Sequence, residues 1–390
     1  MTFKLYHYAQ LFAFSVISTV IACSPTRFSS SVAPDSVCNT NTTVCVVNNG
    51  ITSITQPYKI GAGKVDILFV NDNSASMAVI QRRMAQAFGG FIERLDLKEI
   101  DYKIAMLTTD MTKVIDGSVT NHLISFGNGS SFLTKNDSNR VSHFNGAIVR
   151  QETAACESMI KSYYNTYGPG FESQQTYAAQ YNAKCASSDE RGILAANFIV
   201  KNNTGSFLRA DAHLNMIVIS NENVRSGQTA LFETEDRWTN LTSTMNSTYP
   251  GKFWNFNSII TTNNTCAQQQ VAQFGVGNAI GANIGTEYAA LSASAATNAD
   301  GNPAPRGKII SICESDYTTY FQDIAAKVAE SARLLTLNCT PLEAPTVTLA
   351  SNANATLPHQ WNGGNQISFQ SGTEGIAVNI SYRCRVGGAQ

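Results

Sequence analysis

The feature that most constrains the fold is the run KVDILFV, residues 64–70, which becomes continuously apolar toward its end. A strand with one solvent-facing side alternates apolar and polar residues, so a continuous run indicates burial on both faces. Such burial is typical of a parallel sheet that is covered by helices. A second run, HLNMIVIS at 213–220, has the same character. The chain is therefore expected to contain an α/β domain.

Helical and extended patterns alternate after the first strand. Apolar residues recur at three- and four-residue steps from Ile80 to Leu95, which predicts a helix. Further strands are predicted at 102–109, 252–262 and 307–313, and further helices at 189–200, 234–245, 285–296 and 315–335. This order predicts a mostly parallel sheet with helices on both faces. Residues 110–187 have only short apolar pieces and are expected to form an elaborated loop region with one strand among them.

The α/β domain is expected at residues 58–337. The two segments that flank it differ from it in composition. Residues 23–57 are rich in Ser, Thr, Asn and Val without periodicity, which predicts a flexible tether. At 338–390, short apolar or alternating segments separated by Gly and Asn predict a small antiparallel β appendix. Because about fifty residues bury little apolar surface alone, the appendix is expected to pack on the main domain.

The first 22 residues are expected to form a lipoprotein signal peptide. The apolar stretch at 11–22 has the length of a signal sequence and is short for a membrane span. It leads into VIAC, residues 20–23, which resembles the bacterial lipobox. That resemblance implies acylation of Cys23, with palmitate among the chains, and Ser24 permits sorting to the outer membrane. The protein would then be anchored by lipid in the cell envelope.

The nine cysteines are consistent with an oxidising compartment. With Cys23 acylated, an even number remains, which favours disulfide bonds. Their connectivity is open from sequence, and proximity along the chain suggests four pairs. These pairs are Cys38–Cys45, Cys156–Cys185, Cys266–Cys313 and Cys339–Cys384. A zinc site is disfavoured, because no CxxC pair occurs and the five histidines show no ligand spacing.

Polar residues at alternate positions follow the first strand directly. The segment NDNSASM, residues 71–77, offers Asp72, Ser74 and Ser76. In an open α/β sheet, ligands bind at the carboxyl ends of the strands. One carboxylate and two hydroxyls are hard oxygen donors that suit Mg²⁺. The alternative is that both serines only cap the following helix, but their position after a buried strand favours a cation site.

Asp72-x-Ser74-x-Ser76 before an amphipathic helix resembles the metal-ion-dependent adhesion signature of the von Willebrand factor A domain family. The likeness extends over residues 64–335. It implies a Rossmann-like sheet, a bound Mg²⁺ (or Mn²⁺ or Ca²⁺), and a protein partner that presents an acidic side chain to the ion. The lipobox and the C-terminal β segment are similar to those of bacterial surface lipoproteins that carry this domain.

Two positions depart from the family pattern. Asn221 stands where the family has an aspartate, with Glu222 beside it. Ser188 and Asp189 lie where the family has a ligand threonine. The resemblance therefore implies that these four residues complete or support the metal site. An extra carboxylate from Asp189 would weaken the attraction of the cation for an acidic partner.

Composition and motifs limit the classes of function that the chain can have. A formal net charge of −1 gives no reason to expect nucleic-acid binding. The sequence has no GxSxG, HExxH or phosphate-binding loop, which favours a protein that is not an enzyme. We expect a lipid-anchored adhesion protein. The alternative is a structural or envelope-assembly lipoprotein whose domain binds partners through its loops without metal, and a metal-dependent hydrolase is a third, unsupported class.

Overall fold

The structure is a computed structural model. It describes residues 44–61, 63–112, 122–186, 189–203, 206–225, 234–277, 282–298, 302–361, 363–370 and 372–385. The predicted signal peptide, the predicted acylation site Cys23, and the residues Cys38 and Ser188 lie outside the described residues. Within the described part of the chain, no helix combines the length and the apolar character that crossing a membrane requires.

Sixteen strands are present in the described residues. In chain order they are β1 (Val44–Asn48), β2 (Ile51–Lys59), β3 (Lys64–Asn71), β4 (Asp101–Thr108), β5 (Leu133–Thr134), β6 (His213–Ser220), β7 (Trp254–Ile260), β8 (Ala295–Thr297), β9 (Pro303–Pro305), β10 (Ile309–Ser311), β11 (Leu334–Thr336), β12 (Thr346–Leu349), β13 (Asn352–Thr356), β14 (His359–Trp361), β15 (Gln366–Phe369) and β16 (Ala377–Arg385). Six of them form the main sheet, in the spatial order β10-β7-β6-β3-β4-β5.

Nine α-helices are present in the same residues. In chain order they are α1 (Ala78–Leu97), α2 (Arg140–Ile148), α3 (Gln151–Tyr167), α4 (Tyr177–Lys184), α5 (Gly192–Asn202), α6 (Trp238–Thr248), α7 (Asn264–Phe274), α8 (Thr286–Ala293) and α9 (Thr318–Ser331). Six of them, α1, α2, α5, α6, α8 and α9, pack on the two faces of the main sheet, and strand β6 between them is buried along its whole length.

The predicted fold class is confirmed, because the main sheet is mostly parallel. Strand β3 pairs in parallel with β4 on one side and β6 on the other. Strands β7 and β10 extend the parallel arrangement, and only the short β5 is antiparallel to its neighbour. All eight residues of β6 are buried, as the continuous apolar run predicted. Two helical layers pack against this sheet.

Each face of the sheet has its own apolar core. On one face, helices α1, α2 and α9 bury aromatic rings against Phe69, which points out of β3. Phe88, Phe144 and Phe321 contact that ring from the three helices. On the other face, helices α5, α6 and α8 pack on Leu68 and its neighbours. Successive residues of β3 thus point into opposite cores, as strand geometry requires.

The prediction of a flexible tether is wrong for residues 44–57. They form β1 and most of β2, which belong to a five-stranded sheet in the order β1-β2-β16-β12-β13. Strand β2 lies between β1 and the central strand β16, and it pairs along its whole length with β16. The physical reason is burial, since Ile54 packs into a core with residues of β12, β15 and β16. The β unit is therefore built from both ends of the described chain.

The prediction of a loop region at 110–187 is also wrong in part. Its described residues contain the three helices α2, α3 and α4 as well as the short β5. Each of these helices is short or only weakly apolar on its inner face. The sequence therefore has no long apolar pattern from which they could be predicted. Helix α4 buries none of its eight residues.

Three disulfide bonds join residues of the described chain. They are Cys156–Cys185, Cys266–Cys313 and Cys339–Cys384, which are pairs that proximity in the sequence suggested. Cys45 is disulfide-bonded too, and its predicted partner lies outside the described residues. The bond at Cys156 closes α3 and α4 into a unit that we name the disulfide hairpin, residues 151–185.

We predict that β2 contributes to stability as a core strand would. Ile54 is 1% exposed, so Ile54→Ala should lower the free energy of unfolding by about 2–4 kcal/mol through lost burial and a cavity. Val46 on β1 is 59% exposed, so the matched change Val46→Ala should cost less than about 0.5 kcal/mol. Urea unfolding measures both. Equal and negligible effects would show that these residues behave as a tether after all.

Candidate functional site

Asp72 lies at the carboxyl end of β3, where its side chain is fully buried. Its Oδ1 accepts a hydrogen bond from the backbone N–H of Ser74 at 2.8 Å, which closes a tight turn after the strand. Its Oδ2 accepts a hydrogen bond from the hydroxyl of Ser220, at the end of β6, also at 2.8 Å. Burial raises the pKa of Asp72, and these hydrogen bonds offset part of the rise. The carboxylate thus joins the ends of two adjacent parallel strands.

The two serines of the predicted motif lie together beside Asp72. The Oγ atoms of Ser74 and Ser76 are 3.0 Å apart, and both side chains are half-buried. The hydroxyl of Ser76 donates to Oδ1 of Asn221 at 3.2 Å. The structure therefore brings Asp72, Ser74, Ser76 and Asn221 together, from loops that are far apart in the sequence. The half-buried Ser74 and Ser76 place hydroxyl oxygens on its more exposed side, whereas Asn221 is fully buried.

Glu222 borders the same cluster. Its backbone N–H donates to the Ser220 hydroxyl at 3.1 Å, next to Asp72. Burial, and then the charge of Asp72, raise the pKa of Glu222 to about 7. Among the described residues, no hydrogen bond or ion pair engages the Glu222 carboxylate. It is therefore a half-buried acid that faces a second acid.

The structure does not bring Asp189 into this cluster, contrary to the sequence prediction. Both of its carboxylate oxygens are bound by Arg225, at 2.8 and 2.9 Å. An aspartate held in this way already has its counter-ion, so Asp189 is not expected to serve as a cation ligand. Arg225 also comes within 3.7 Å of the buried Asp236.

Glu190 is the functional candidate that sequence reasoning missed. Its side chain is 3% exposed, and its Oε2 has no hydrogen-bond partner among the residues that the structure describes. Burial holds its pKa well above the usual value, with further contributions from Asp72 and Glu222, while a hydrogen bond with Ser74 acts in the opposite direction. Glu190 belongs to the segment SSDERG, in which the sequence predicted Ser188 and Asp189 as site residues. However, which of its acids faces the site depends on the direction of the backbone, which no sequence pattern specified.

Backbone and side-chain contacts fix Glu190 in this position. Its carbonyl oxygen accepts from the backbone N–H of Arg225 at 2.8 Å, and its backbone forms an isolated bridge with Asp110 at the end of β4. The next residue, Arg191, makes a two-point ion pair with the buried Asp236, at 2.7 and 3.0 Å. These contacts leave the loop little freedom, so the Glu190 carboxyl is held toward Asp72.

The disulfide hairpin supports the loop from the side. The hydroxyl of Thr153, at the start of α3, donates to the carbonyl oxygen of Asn73 at 2.8 Å. Gln81 of α1 donates to the carbonyl oxygen of Asp72 at 2.8 Å and accepts from the backbone N–H of Arg150. The hairpin core also packs on Ala75. The region predicted as a loop thus buttresses the site.

The oxygen-rich cluster fits a hard divalent cation in its chemistry. Mg²⁺ and Ca²⁺ bind carboxylate, hydroxyl and carbonyl oxygens together with water. Within the described ranges, no group of three or more His, Cys, Asp and Glu side chains lies close enough to hold a metal ion by itself. Hydroxyls, amide oxygens and water would therefore have to share the coordination. The unpartnered Oε2 of Glu190, buried beside Asp72, is the atom that most needs such a partner.

No protein-family model matches the sequence, and no curated protein does. Solved structures similar to it include the open conformation of the pilus adhesin SpaC of Lactobacillus rhamnosus GG. The identity is 10% and the TM-score is 0.35. The similar region covers 88% of this chain and 42% of that chain. A von Willebrand factor type A protein from Catenulispora acidiphila has 10% identity and a TM-score of 0.33. The similar region covers 88% of this chain and 62% of that chain.

A third similar structure contains three N-terminal domains of the type V pili tip protein Mfa5 from Porphyromonas gingivalis. The identity is 11% and the TM-score 0.25, covering 88% of this chain and 67% of that chain. Pilus adhesins and a von Willebrand factor type A protein are thus among the solved structures to which this chain is similar. The chain spans less than two thirds of the first two proteins.

We predict that Glu222 makes stability depend on pH. An unfolded glutamate titrates near 4.5, and folding raises the pKa of Glu222 to about 7. Between these values the native state binds more protons, so the free energy of unfolding falls as the pH rises from about 4.5 to about 7. Relative to Glu222→Gln, the wild type should lose ~2–3 kcal/mol over this window. Urea unfolding in a chelator at several pH values measures the difference.

The matched control for that experiment is Glu93→Gln, because Glu93 is an exposed acid on α1. Its stability curve should run parallel to that of the wild type. A Glu222→Gln curve that also runs parallel to the wild type would contradict the raised pKa.

Proposed function

We propose that this protein is a binding module of the cell envelope that holds a divalent cation at the Asp72–Ser74–Ser76 cluster. Asn221, Glu222 and Glu190 would complete the site, directly or through water. A bound cation would supply an open coordination position and a local positive charge for recognition of a partner. Mg²⁺ is the expected ion, with Mn²⁺ and Ca²⁺ as alternatives.

One observation carries this proposal. Five carboxylates are buried in the described residues: Asp66, Asp72, Glu157, Glu190 and Asp236. Three of them form ion pairs with arginines, whereas Asp72 and Glu190 have no basic partner within the part of the chain that the structure describes. A buried charge without a counter-ion is costly, so such groups stay neutral or bind a cation. That both unpaired acids lie in one cluster supports a cation site.

Each residue of the proposed site would have its own role in holding the cation. Asp72 and Glu190 lie deepest and would supply negative charge, and the half-buried serine hydroxyls would supply oxygens at the open side. The Arg191–Asp236 ion pair would hold the Glu190 loop in place. Resemblance to the von Willebrand factor A family implies an acidic group on the partner. However, the carboxylates at this site would weaken that attraction.

The second candidate is an envelope-assembly protein that binds partners through its loops without metal. Two observations favour it. Both oxygens of Asp72 already accept hydrogen bonds within the protein. The disulfide hairpin also carries a row of tyrosine rings, Tyr167, Tyr163, Tyr177 and Tyr181, at successive centroid distances of 5.8, 5.3 and 5.9 Å. Tyrosine is enriched in protein interfaces. Either candidate is a binding role, not an enzymatic one.

We also propose that the protein is anchored in the outer membrane by lipid on Cys23. The support is the VIAC segment and the apolar stretch before it. Cys23→Ser should abolish incorporation of labelled palmitate and move the protein from the membrane fraction to the soluble fraction. Membrane fractionation with detection of the label measures this. Unchanged membrane association of the variant would exclude the lipid anchor.

The cation site predicts stabilisation by metal. Mg²⁺ at about a hundredfold above its dissociation constant should raise the free energy of unfolding by ~2.7 kcal/mol. Asp72→Asn, which keeps the shape of the side chain, and the double change Ser74→Ala with Ser76→Ala should remove this gain. Melting curves and calorimetric titration with Mg²⁺, Mn²⁺ and Ca²⁺ measure it, with Glu93→Gln as a control for nonspecific charge effects.

The two candidates differ in this test. The envelope-assembly protein would show no response of its melting temperature to any of the three ions, and its partner would remain bound in the presence of a chelator. A cation-dependent module would release its partner on chelation. Turnover of a substrate would point to the third class, a hydrolase.

A further inference from the structure

We propose that the Cys156–Cys185 disulfide regulates the cation site, so that the oxidised protein binds a divalent cation tightly and the reduced protein binds it weakly. This inference rests on the proposed function, because it concerns the affinity of the same site. The bond closes the disulfide hairpin and contributes no ligand to the ion. Its influence would pass through contacts between the hairpin and the loop that follows β3.

The start of the hairpin holds the backbone of that loop. The Thr153 hydroxyl donates to the carbonyl oxygen of Asn73 at 2.8 Å, and both residues are buried. Gln81 donates to the carbonyl oxygen of Asp72 at 2.8 Å, and the backbone N–H of Arg150 donates to the Gln81 side chain at 3.0 Å. Two successive peptide groups of the loop are thus fixed by groups at the start of α3. The position of the loop therefore depends on the position of α3.

The buried end of the disulfide belongs to the packing that supports the loop. Cys156 lies one helical turn beyond Thr153, on the same face of α3. Its side chain is buried in one apolar cluster with Met159, Ile160 and Ala75. Ala75 stands between the two serines of the proposed site. The cluster that contains the sulfur of Cys156 therefore also packs on the loop that carries the ligands.

The second half of the hairpin depends on the disulfide for its position. Helix α4 buries none of its eight residues, and a helix of this length is marginal on its own. The ring of Tyr177 packs on the hairpin itself, with centroid distances of 5.3 Å to Tyr163 and 5.1 Å to Phe171. Cys185 follows the last residue of α4 and joins this helix covalently to α3. Opening the bond would loosen α4 and the cluster that it covers.

Reduction by a dithiol would begin at Cys185. This residue is half-buried whereas Cys156 is buried, so a thiolate from solvent reaches the Cys185 sulfur first. The thiolate attacks that sulfur, the S–S bond breaks, and Cys156 leaves as a thiolate. The second thiol of the dithiol then attacks its own mixed disulfide and releases Cys185. The dithiol is oxidised to its disulfide, and its two protons end on the two cysteine thiols.

The first experiment compares cysteine variants of the full-length oxidised protein in detergent, by calorimetric titration of Mg²⁺. We expect Cys156→Ala combined with Cys185→Ala to weaken Mg²⁺ binding by about tenfold or more, a typical size for coupling between two sites. The matched control is Cys339→Ala combined with Cys384→Ala, which removes the disulfide of the β unit. The control should leave the affinity for Mg²⁺ unchanged.

A second pair of variants tests the contact that carries the effect while the disulfide stays intact. Thr153→Val keeps the shape of the side chain and removes the hydrogen bond to the loop, so it should weaken Mg²⁺ binding. Thr166→Val is the matched control on the same helix. The Thr166 hydroxyl is exposed and donates only within the helix, to the carbonyl oxygen of Ser162, so its loss should have no effect on the affinity.

The third experiment uses the wild type, so it does not depend on the folding of any variant. Coupling is reciprocal: if reduction weakens cation binding, a bound cation must make the disulfide harder to reduce by the same factor. The protein is equilibrated in mixtures of reduced and oxidised dithiothreitol, and differential alkylation with peptide mass spectrometry gives the state of each cysteine. Saturating Mg²⁺ should protect Cys156–Cys185 by about tenfold or more and leave Cys339–Cys384 unchanged.

The outcomes separate the inference from the proposed function. If oxidised wild type binds Mg²⁺ but the variant without the Cys156–Cys185 bond binds it as tightly, the inference is overturned and the cation site stands. The same holds if Mg²⁺ does not change the reduction of this bond in the wild type. If oxidised wild type binds no Mg²⁺, the proposed function and the inference both fail.

Discussion

The parallel pairing of β3 with β4 and β6 is the constraint on which the rest of this structure depends. Parallel neighbours must be joined by long crossovers, so the segments that follow all three strands emerge at one edge of the sheet. Asp72 follows β3, the Asp110–Glu190 bridge follows β4, and Asn221 follows β6. Residues from distant parts of the chain therefore meet in one cluster without any local signal that links them.

Electrostatics then distinguishes this cluster from the rest of the interior. Elsewhere, buried acids are neutralised by arginine, as with Asp66 and Arg209 or Asp236 and Arg191. At the cluster, Asp72 and Glu190 are buried without such a partner in the described ranges, and Glu222 adds a third acid at the edge. The neighbouring ion pairs occupy Arg191 and Arg225. Burial raises the pKa values of Asp72, Glu190 and Glu222, so a bound cation would stabilise their ionised forms.

Much of the fold could be predicted from periodicity, and some of it could not. The continuous apolar runs of β3 and β6 correctly indicated burial on both faces, because such runs suit only covered strands. Residues 44–57 carry no such signal: β1 is mostly exposed, and β2 owes its place to pairing with β16. Thr55 and Ser381 share a hydrogen bond across 326 residues. Pairing over such a distance leaves no pattern within either segment.

By itself, the sequence determined the α/β class and the set of oxygen donors after the first strand, because both follow from local order: apolar runs, helical spacing and Asp-x-Ser-x-Ser. Tertiary structure alone decided which other acids join those donors. Arg225 draws Asp189 away, while contacts with Asp110 and Arg225 hold the backbone of Glu190 so that its side chain turns inward. The choice between adjacent acids rests on contacts between segments far apart in the chain, and such contacts exist only once the chain has folded.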